Sequence, residues 1–433
     1  MGGWEITRSR VATGFWIVWI AAIVFVFPIP GTIALRNALL LLGIVVLLIL
    51  GRSLFPKGTR WLRTAGIVWC LLTIWIAVQA FVFADLTASA LDLWRSGWLN
   101  PMLIGFIAAW AATWLGSTLS LRTAIMALTA HAVWLLGWQL YLRINGGNWP
   151  FKATPFAAYD YHSTLIGFLL ALLVADRVIW LRQRHSPLGL NRIDGWTLLL
   201  LSLAADIALQ ARNGTLVDLA ILGVGALLII DRRGVRQKHA ALALLTVILL
   251  GAATFQFDER WRGLRESARI GWTSNSSYWL KATAENRPAT PSGAVLEESA
   301  YFRVAWAHRA IEFVAERPMG NGFGHEAFGR GIASRFGITG FGSSHSSLLD
   351  YAIGIGLPGV ALLIFLAAVT LISGWRAYSR QGNEPALLIA FLCGSYFVRC
   401  ILDGHLSGWR FSLFGFLFGL LFAATAGKSR QSR

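Results

Sequence analysis

Ser343-Ser344-His345-Ser346-Ser347-Leu348-Leu349-Asp350-Tyr351-Ala352-Ile353-Gly354-Ile355-Gly356-Leu357-Pro358-Gly359 sets a histidine at the start of a long apolar run. The serines around His345 are helix-capping residues, because a hydroxyl oxygen accepts from the free N–H groups of a first turn. Gly354, Gly356 and Gly359 carry no side chain to hold a neighbouring helix away. The run reads as a membrane span over about 347–373, with a titratable imidazole at its mouth.

Working outward, the same apolar pattern recurs along almost the whole chain. Of 433 residues, 56% are hydrophobic and only 14% charged, with 21 Trp and a mean hydropathy of +0.59, a membrane composition rather than a soluble globular one. Spans are predicted at about 12–30, 32–50, 64–84, 99–119, 122–142, 161–181, 196–210, 215–230, 240–256, 347–373, 385–402 and 409–426. The expected fold is therefore an all-α polytopic membrane protein of about 12 transmembrane helices. The whole chain 1–433 is one transmembrane domain. The apolar run after Met1–Arg10 lacks a small-residue cleavage site, so it reads as a retained span. Cys70, Cys393 and Cys400 fall within spans and suggest neither a disulfide framework nor a metal site.

The net charge of +17 invites a nucleic-acid partner, but its distribution argues against one. Alternate short loops hold 20 Lys and Arg on one side of the membrane and 5 on the other, where Arg95, Arg143, Lys152, Arg212 and Arg410 stand. The positive-inside rule makes the first side cytoplasmic, so the basic excess is mostly topology. The only long extramembrane segment, 257–345, is then expected to lie on the outer side. It is nearly neutral, with 11 Lys and Arg against 9 Asp and Glu. Asp258–Trp272 is expected to form an interfacial helix. Ser299–Arg317 is expected to form a second, capped by Ser299 and stopped by Pro318. On its wheel Val304, Ala307, Ala310, Ile311 and Val314 share an apolar face, and Arg303 falls in the middle of it.

Three residues stand out for chemistry. Arg303 either snorkels to water or is a guanidinium held in a drier site, where its fork suits phosphate. Arg212 lies in Gln210-Ala211-Arg212-Asn213-Gly214-Thr215, a tight turn on the side poor in positive charge. It reads as an ordinary loop charge or as a second anion contact. His345 reads as a helix cap or as a base. Arg36, Asp160, Asp206, Asp218, Asp350, Arg399 and Asp403 gather at the outer ends of spans, and His162 lies near them. Ionisable groups at membrane depth are candidates for function, although some pair for structure. No Asp-x-Asp pair, Walker loop or dinucleotide fingerprint occurs, so phosphate charge would be met by arginine and not by a metal.

The ordered set resembles the O-antigen ligase and polymerase superfamily of bacterial membrane glycosyltransferases. It comprises Arg212 in its turn, Arg303-x-x-Trp306, Pro318-Met319-Gly320-Asn321-Gly322, and His345 with its glycine-rich span. The matching region is about 196–361, and Ser346 stands where many members have Asn. The resemblance implies a GT-C-like fold with one large helical periplasmic loop. It also implies transfer of a glycan from undecaprenyl diphosphate to a sugar hydroxyl of the lipid A-core acceptor, without metal or other cofactor. His345 would be the catalytic base, and Arg212 and Arg303 would bind the donor diphosphate. Arg36, Asp218, His162, Asp350 and Arg399 would be secondary site residues. A polymerase using a second lipid-linked unit, a protein O-oligosaccharyltransferase and a lipid or sugar transporter are the alternatives. The long loop lies late in the chain rather than at its midpoint, which disfavours a two-halves transporter.

Overall fold

A computed structural model describes residues 2–50, 60–83, 87–147, 149–229, 245, 263–273, 276–293, 295–324 and 326–431. It is all-helical, with no strand among those residues. The helices are α1 (Gly2–Val26), α2 (Ile33–Leu50), α3 (Arg60–Phe81), α4 (Thr87–Trp94), α5 (Asn100–Leu115), α6 (Ser117–Gly146), α7 (Tyr159–Gln183), α8 (Arg192–Leu209) and α9 (Arg212–Ile229). They continue with α10 (Leu264–Thr273), α11 (Glu298–Glu316), α12 (Ala327–Phe336), α13 (Ser347–Gln381), α14 (Glu384–Leu402) and α15 (Gly408–Gln431). Among the described residues 8 helices are long and apolar enough to cross a membrane, and Arg10–Val26 and Ile33–Ile49 are shorter apolar helices. α8 carries Arg192, Asp194 and Asp206 in 18 residues, which keeps it out of that set. The span expected at 240–256 lies outside the described residues, as does the first part of the expected interfacial helix, whose remainder is α10.

Burial sorts the helices. α7 is apolar around its whole circumference and is buried from His162 to Ile179, so it forms the centre of the bundle. Around it, large apolar side chains such as Leu48, Ile67, Val133 and Leu200 point outward. That is the reverse of a soluble surface and the expected one for a protein bathed in lipid tails. α5 and α15 approach most closely, because Gly105, Gly415 and Gly419 face backbone. A Cβ on Gly105 would lie 2.7 Å from the Gly415 carbonyl oxygen.

The long loop between α9 and α13 has its own small core of Tyr278, Trp279, Tyr301, Phe313, Phe328 and Ile332, joined to the bundle through Ile353. Two expectations for α11 are corrected. Its cap is Glu297, whose carboxylate accepts from the Ala300 N–H, so Ser299 lies inside the first turn. Its buried face is Ala300, Tyr301, Ala305, Ala310 and Phe313, whereas Ile311 is exposed. The aromatic residues won over the aliphatic ones because Tyr301 and Phe313 bury more area against the loop core.

α13 is not one continuous span. At Gly356 the backbone turns to φ 69°, ψ 176°, with Pro358 two residues on. Such a break inside a long apolar helix requires new partners for the freed backbone groups. The Pro318–Gly322 segment supplies them: Leu357 N–H donates to the Pro318 carbonyl (2.8 Å), Asn321 N–H to that of Ile353 (3.0 Å) and Gly322 N–H to that of Gly354 (3.1 Å). From α3, the Trp75 indole N–H donates to the Ile355 carbonyl at 2.7 Å, and the Gln79 amide to that of Met319 at 2.7 Å. Glycine is required on both sides, since a Cβ on Gly356 would sit 2.3 Å from the Met319 carbonyl carbon. The two glycine motifs of the sequence are thus one backbone-to-backbone junction that fixes where the long loop re-enters the bundle.

Candidate functional site

His345 precedes the cap of α13. Ser346 is the N-cap, its hydroxyl accepting from the Leu349 N–H, so His345 itself is free of that duty. The imidazole is held by its backbone instead. His345 has φ 59°, a left-handed conformation uncommon outside glycine, although histidine adopts it more often than most residues. The turn is fixed on both sides: the Asp350 carboxylate accepts from the Ser344 N–H at 2.8 Å, and the Ser344 hydroxyl accepts from the Ser346 N–H at 3.3 Å. Asp350 is buried and acts through this turn. A strained backbone held by buried partners marks a place where geometry is being specified.

The His345 ring is 44% exposed, and it stacks on Trp306 of α11 at 5.2 Å and 12°. Its Nδ1 lies 3.5 Å from Oδ1 of Asp403 in the short α14–α15 connection. With a proton on Nδ1, facing the carboxylate, the ring leaves Nε2 for another partner. Burial alone would raise the Asp403 carboxyl, but the His345 hydrogen bond and the charge of Arg303 hold it well below the usual range. The connection is stapled to α13: Ser347 N–H donates to the Asp403 carbonyl (3.2 Å), Leu406 N–H to the Ser347 hydroxyl (2.8 Å) and Tyr351 O–H to the Leu406 carbonyl (2.8 Å). His405, whose Nε2 is 2.9 Å from the Thr164 hydroxyl, is pushed down to about 3 by burial and then by Arg410, so it stays neutral.

Both arginines reach the same connection. Arg303 Nη1 donates to the Leu402 carbonyl at 3.2 Å, and Asn213, in the first turn of α9 rather than in the loop the sequence suggested, donates to that same oxygen at 3.3 Å. Arg212, beside Asn213, pairs with Glu297 at 2.6 Å. Glu297 caps α11, the helix that carries Arg303 and Trp306, so Arg212 ties that helix to the start of α9. Arg303 makes no ion pair among the described residues. A cleft of about 480 Å³ opens beside the imidazole, lined by Trp306, Thr339, Gly340, Phe341, Gly342, Ser343 and His345. It falls within the usual range for small-molecule sites.

The structure therefore gathers His345, Arg303, Arg212 and Asp350 at one end of the bundle. It does not gather the rest. Arg36 donates to the Ile29 carbonyl (2.6 Å) and the Thr32 hydroxyl (3.0 Å), and so closes the α1–α2 turn. His162 is buried, with Nε2 2.8 Å from the Phe156 carbonyl oxygen. Asp218 and Arg399 pair with each other at 2.7 Å, each 3% exposed. Asp403 is the residue whose role the sequence did not give. Its signal was only that it follows the last residue of a span. Among the described residues no three His, Cys, Asp or Glu side chains stand together as metal ligands. Comparison with protein-family models and with curated proteins returns no match.

Proposed function

We propose that the chain is a membrane glycosyltransferase of the O-antigen ligase type, built on about twelve spans in a GT-C-like arrangement. It would move a glycan from undecaprenyl diphosphate to a sugar hydroxyl of lipid A-core at the periplasmic face of the inner membrane. The observation that carries this reading is the convergence at Leu402–Asp403. Arg303 and Asn213, at the start of α9, meet one carbonyl there, one residue from the carboxylate beside His345.

The chemistry follows from those groups. An acceptor hydroxyl gives its proton to His345 Nε2 while its oxygen bonds the anomeric carbon. The bond from that carbon to the donor phosphate oxygen breaks, and its electron pair leaves on the diphosphate. The leaving group needs charge stabilisation and no proton, which Arg303 supplies through its fork of N–H groups. The imidazolium, stabilised by Asp403, then returns its proton to water. The donor carries its own free energy, so no nucleotide is consumed.

Reconstitution tests the reading. Purified protein, a lipid-diphosphate glycan and, separately, lipid A-core, a second glycan carrier or a protein acceptor are combined in chelator. Transfer to lipid A-core alone supports the ligase, transfer to another acceptor reassigns the class, and no transfer to any of the three sinks the reading. In the same assay Arg303→Lys is expected to lose about tenfold or more in transfer, because lysine keeps the charge but not the fork. Full activity of that variant would return Arg303 to a surface role. Asp350→Ala is expected to lose about tenfold to a hundredfold by releasing the Ser344 N–H and letting the imidazole drift. Asp350→Asn keeps an oxygen acceptor and is expected to stay within a few-fold of the parent. Equal losses in the two would show that the charge matters, not the turn.

A further inference from the structure

At the far end of α7 the structure holds a second arginine cluster that the proposed chemistry does not use. α7 begins beside the α14–α15 connection, where Thr164 meets His405, and its 25 residues run about 37 Å to the other end of the bundle. There three guanidinium groups converge on one indole. The centres of Arg177, Arg184 and Arg192 lie 5.6, 4.8 and 5.7 Å from the Trp180 ring. Arg177 is buried and neutralised by Asp176, and its Nη1 also reaches the carbonyls of Asn191 and Arg192 at 3.4 Å. Gly195 leaves room for it, since a Cβ there would lie 2.1 Å from the Arg177 Cζ. Arg177 thus locks the start of α8 against the end of α7 and fixes the frame on which the other two stand.

Arg184 and Arg192 are exposed and make no ion pair among the described residues. Each occupies a position its residue type avoids. Arg184 ends α7 with φ 59°, in the left-handed region that favours Gly or Asn. Arg192 is the first residue of α8, where the helix dipole repels a cation. Local rules broken together, at two positions facing one ring, point to a requirement outside the chain itself. Two like charges drawn to one indole leave an uncompensated positive site, and an anion between them would relieve it. Guanidinium forks match the oxygens of a phosphate.

What lies beside the cluster decides the kind of phosphate. Ile193, Leu200 and Ile207 of α8 are 75%, 64% and 63% exposed. Spaced seven apart, they share one face and form an apolar stripe running from Arg192 along the helix. A free phosphate has no use for such a stripe, whereas an acyl chain lies along it. We propose that Arg184, Arg192 and Trp180 form a headgroup site for one anionic phospholipid, its chain on the Ile193–Leu200–Ile207 face. The site is independent of the transfer reaction.

Native mass spectrometry of the full chain in neutral detergent tests this, with phosphatidylglycerol, phosphatidylcholine and inorganic phosphate as probes. The expected result is retention of phosphatidylglycerol in preference to phosphatidylcholine, with affinity about 30-fold weaker in the double variant Arg184→Gln, Arg192→Gln. Unchanged affinity in that variant, or equal retention of the two lipids, would overturn the site. Displacement of the lipid by millimolar inorganic phosphate would overturn the lipid assignment in favour of a free anion. The unfolding temperature without lipid reports whether the double variant folds. If it does not, Arg192→Gln alone, at an exposed first-turn position, carries the test with an expected loss of about fivefold.

Discussion

His345→Ala is expected to lose about 10²–10⁴-fold in transfer while still binding the lipid-linked donor, the loss typical when a general base is removed. The rival roles make different predictions. A capping histidine would take folded protein with it, but the cap of α13 is Ser346, so the variant should insert and fold. A diphosphate ligand would lose donor affinity first, yet the charge near His345 that faces such a group is Arg303. One complication is the backbone: alanine in a left-handed position is strained, by about 1–2 kcal/mol. His345→Gly removes that strain together with the imidazole. If the base reading holds, the glycine variant is at least as stable as the alanine variant and equally inactive. Donor binding and transfer measured on the same purified samples decide it. Weak binding with a near-normal rate at saturating donor would sink the base assignment.

The parts of this molecule that were legible from sequence are those the bilayer imposes. A span must be about twenty apolar residues long, so α3, α6, α7, α14 and α15 begin and end within a few residues of where hydropathy puts them. His345, Arg303 and Arg212 could be singled out as candidates, because each is a polar group out of keeping with its neighbours, and the fold brings them to one end of the bundle. What stayed hidden is pairing across long stretches of chain. The break at Gly356 is indistinguishable in sequence from a glycine-rich helix. It is stable only because backbone some 35 residues earlier supplies its hydrogen bonds. The cap of α11 was misplaced by two residues because Glu297 is a poor cap on its own, and Arg212 from the start of α9 helps to hold it there. Asp403 looked like any carboxylate at the end of a span until the fold set it against His345. Arg36, His162, Asp218 and Arg399 were candidates because ionisable groups near a membrane are costly. The fold answers that cost locally for Arg36 and His162, and across the bundle for the other two.

That last pair supports the second large expected effect. Arg399 donates to Asp218 at 2.7 Å and to the Ser163 hydroxyl at 3.2 Å, one turn beneath Leu402. The surroundings are shaped to it. A Cβ on Gly167 would lie 2.3 Å from Arg399 Nη2, and one on Gly214 would lie 2.1 Å from the Ser163 oxygen. With both side chains out of water, removing one partner leaves a buried charge without compensation. Arg399→Ala is therefore expected to destabilise the protein by about 3–5 kcal/mol, and Asp218→Ala by a similar amount. The double variant should cost less than the sum, because neither charge of the pair is left facing the gap of the other, while the buried Asp206 carboxyl that also interacts with both stays in place. Unfolding in detergent at matched concentration measures the parent and all three variants of this cycle. Ordinary hydrogen bonds between membrane helices average only about 0.6 kcal/mol, so a loss of that size in Arg399→Ala would mean the ion pair is not formed as drawn. A variant of parental stability that has lost transfer would move Arg399 into the reacting centre. The expected outcome keeps it below that centre, as the support that sets the height of the Leu402 carbonyl on which Arg303 and Asn213 meet.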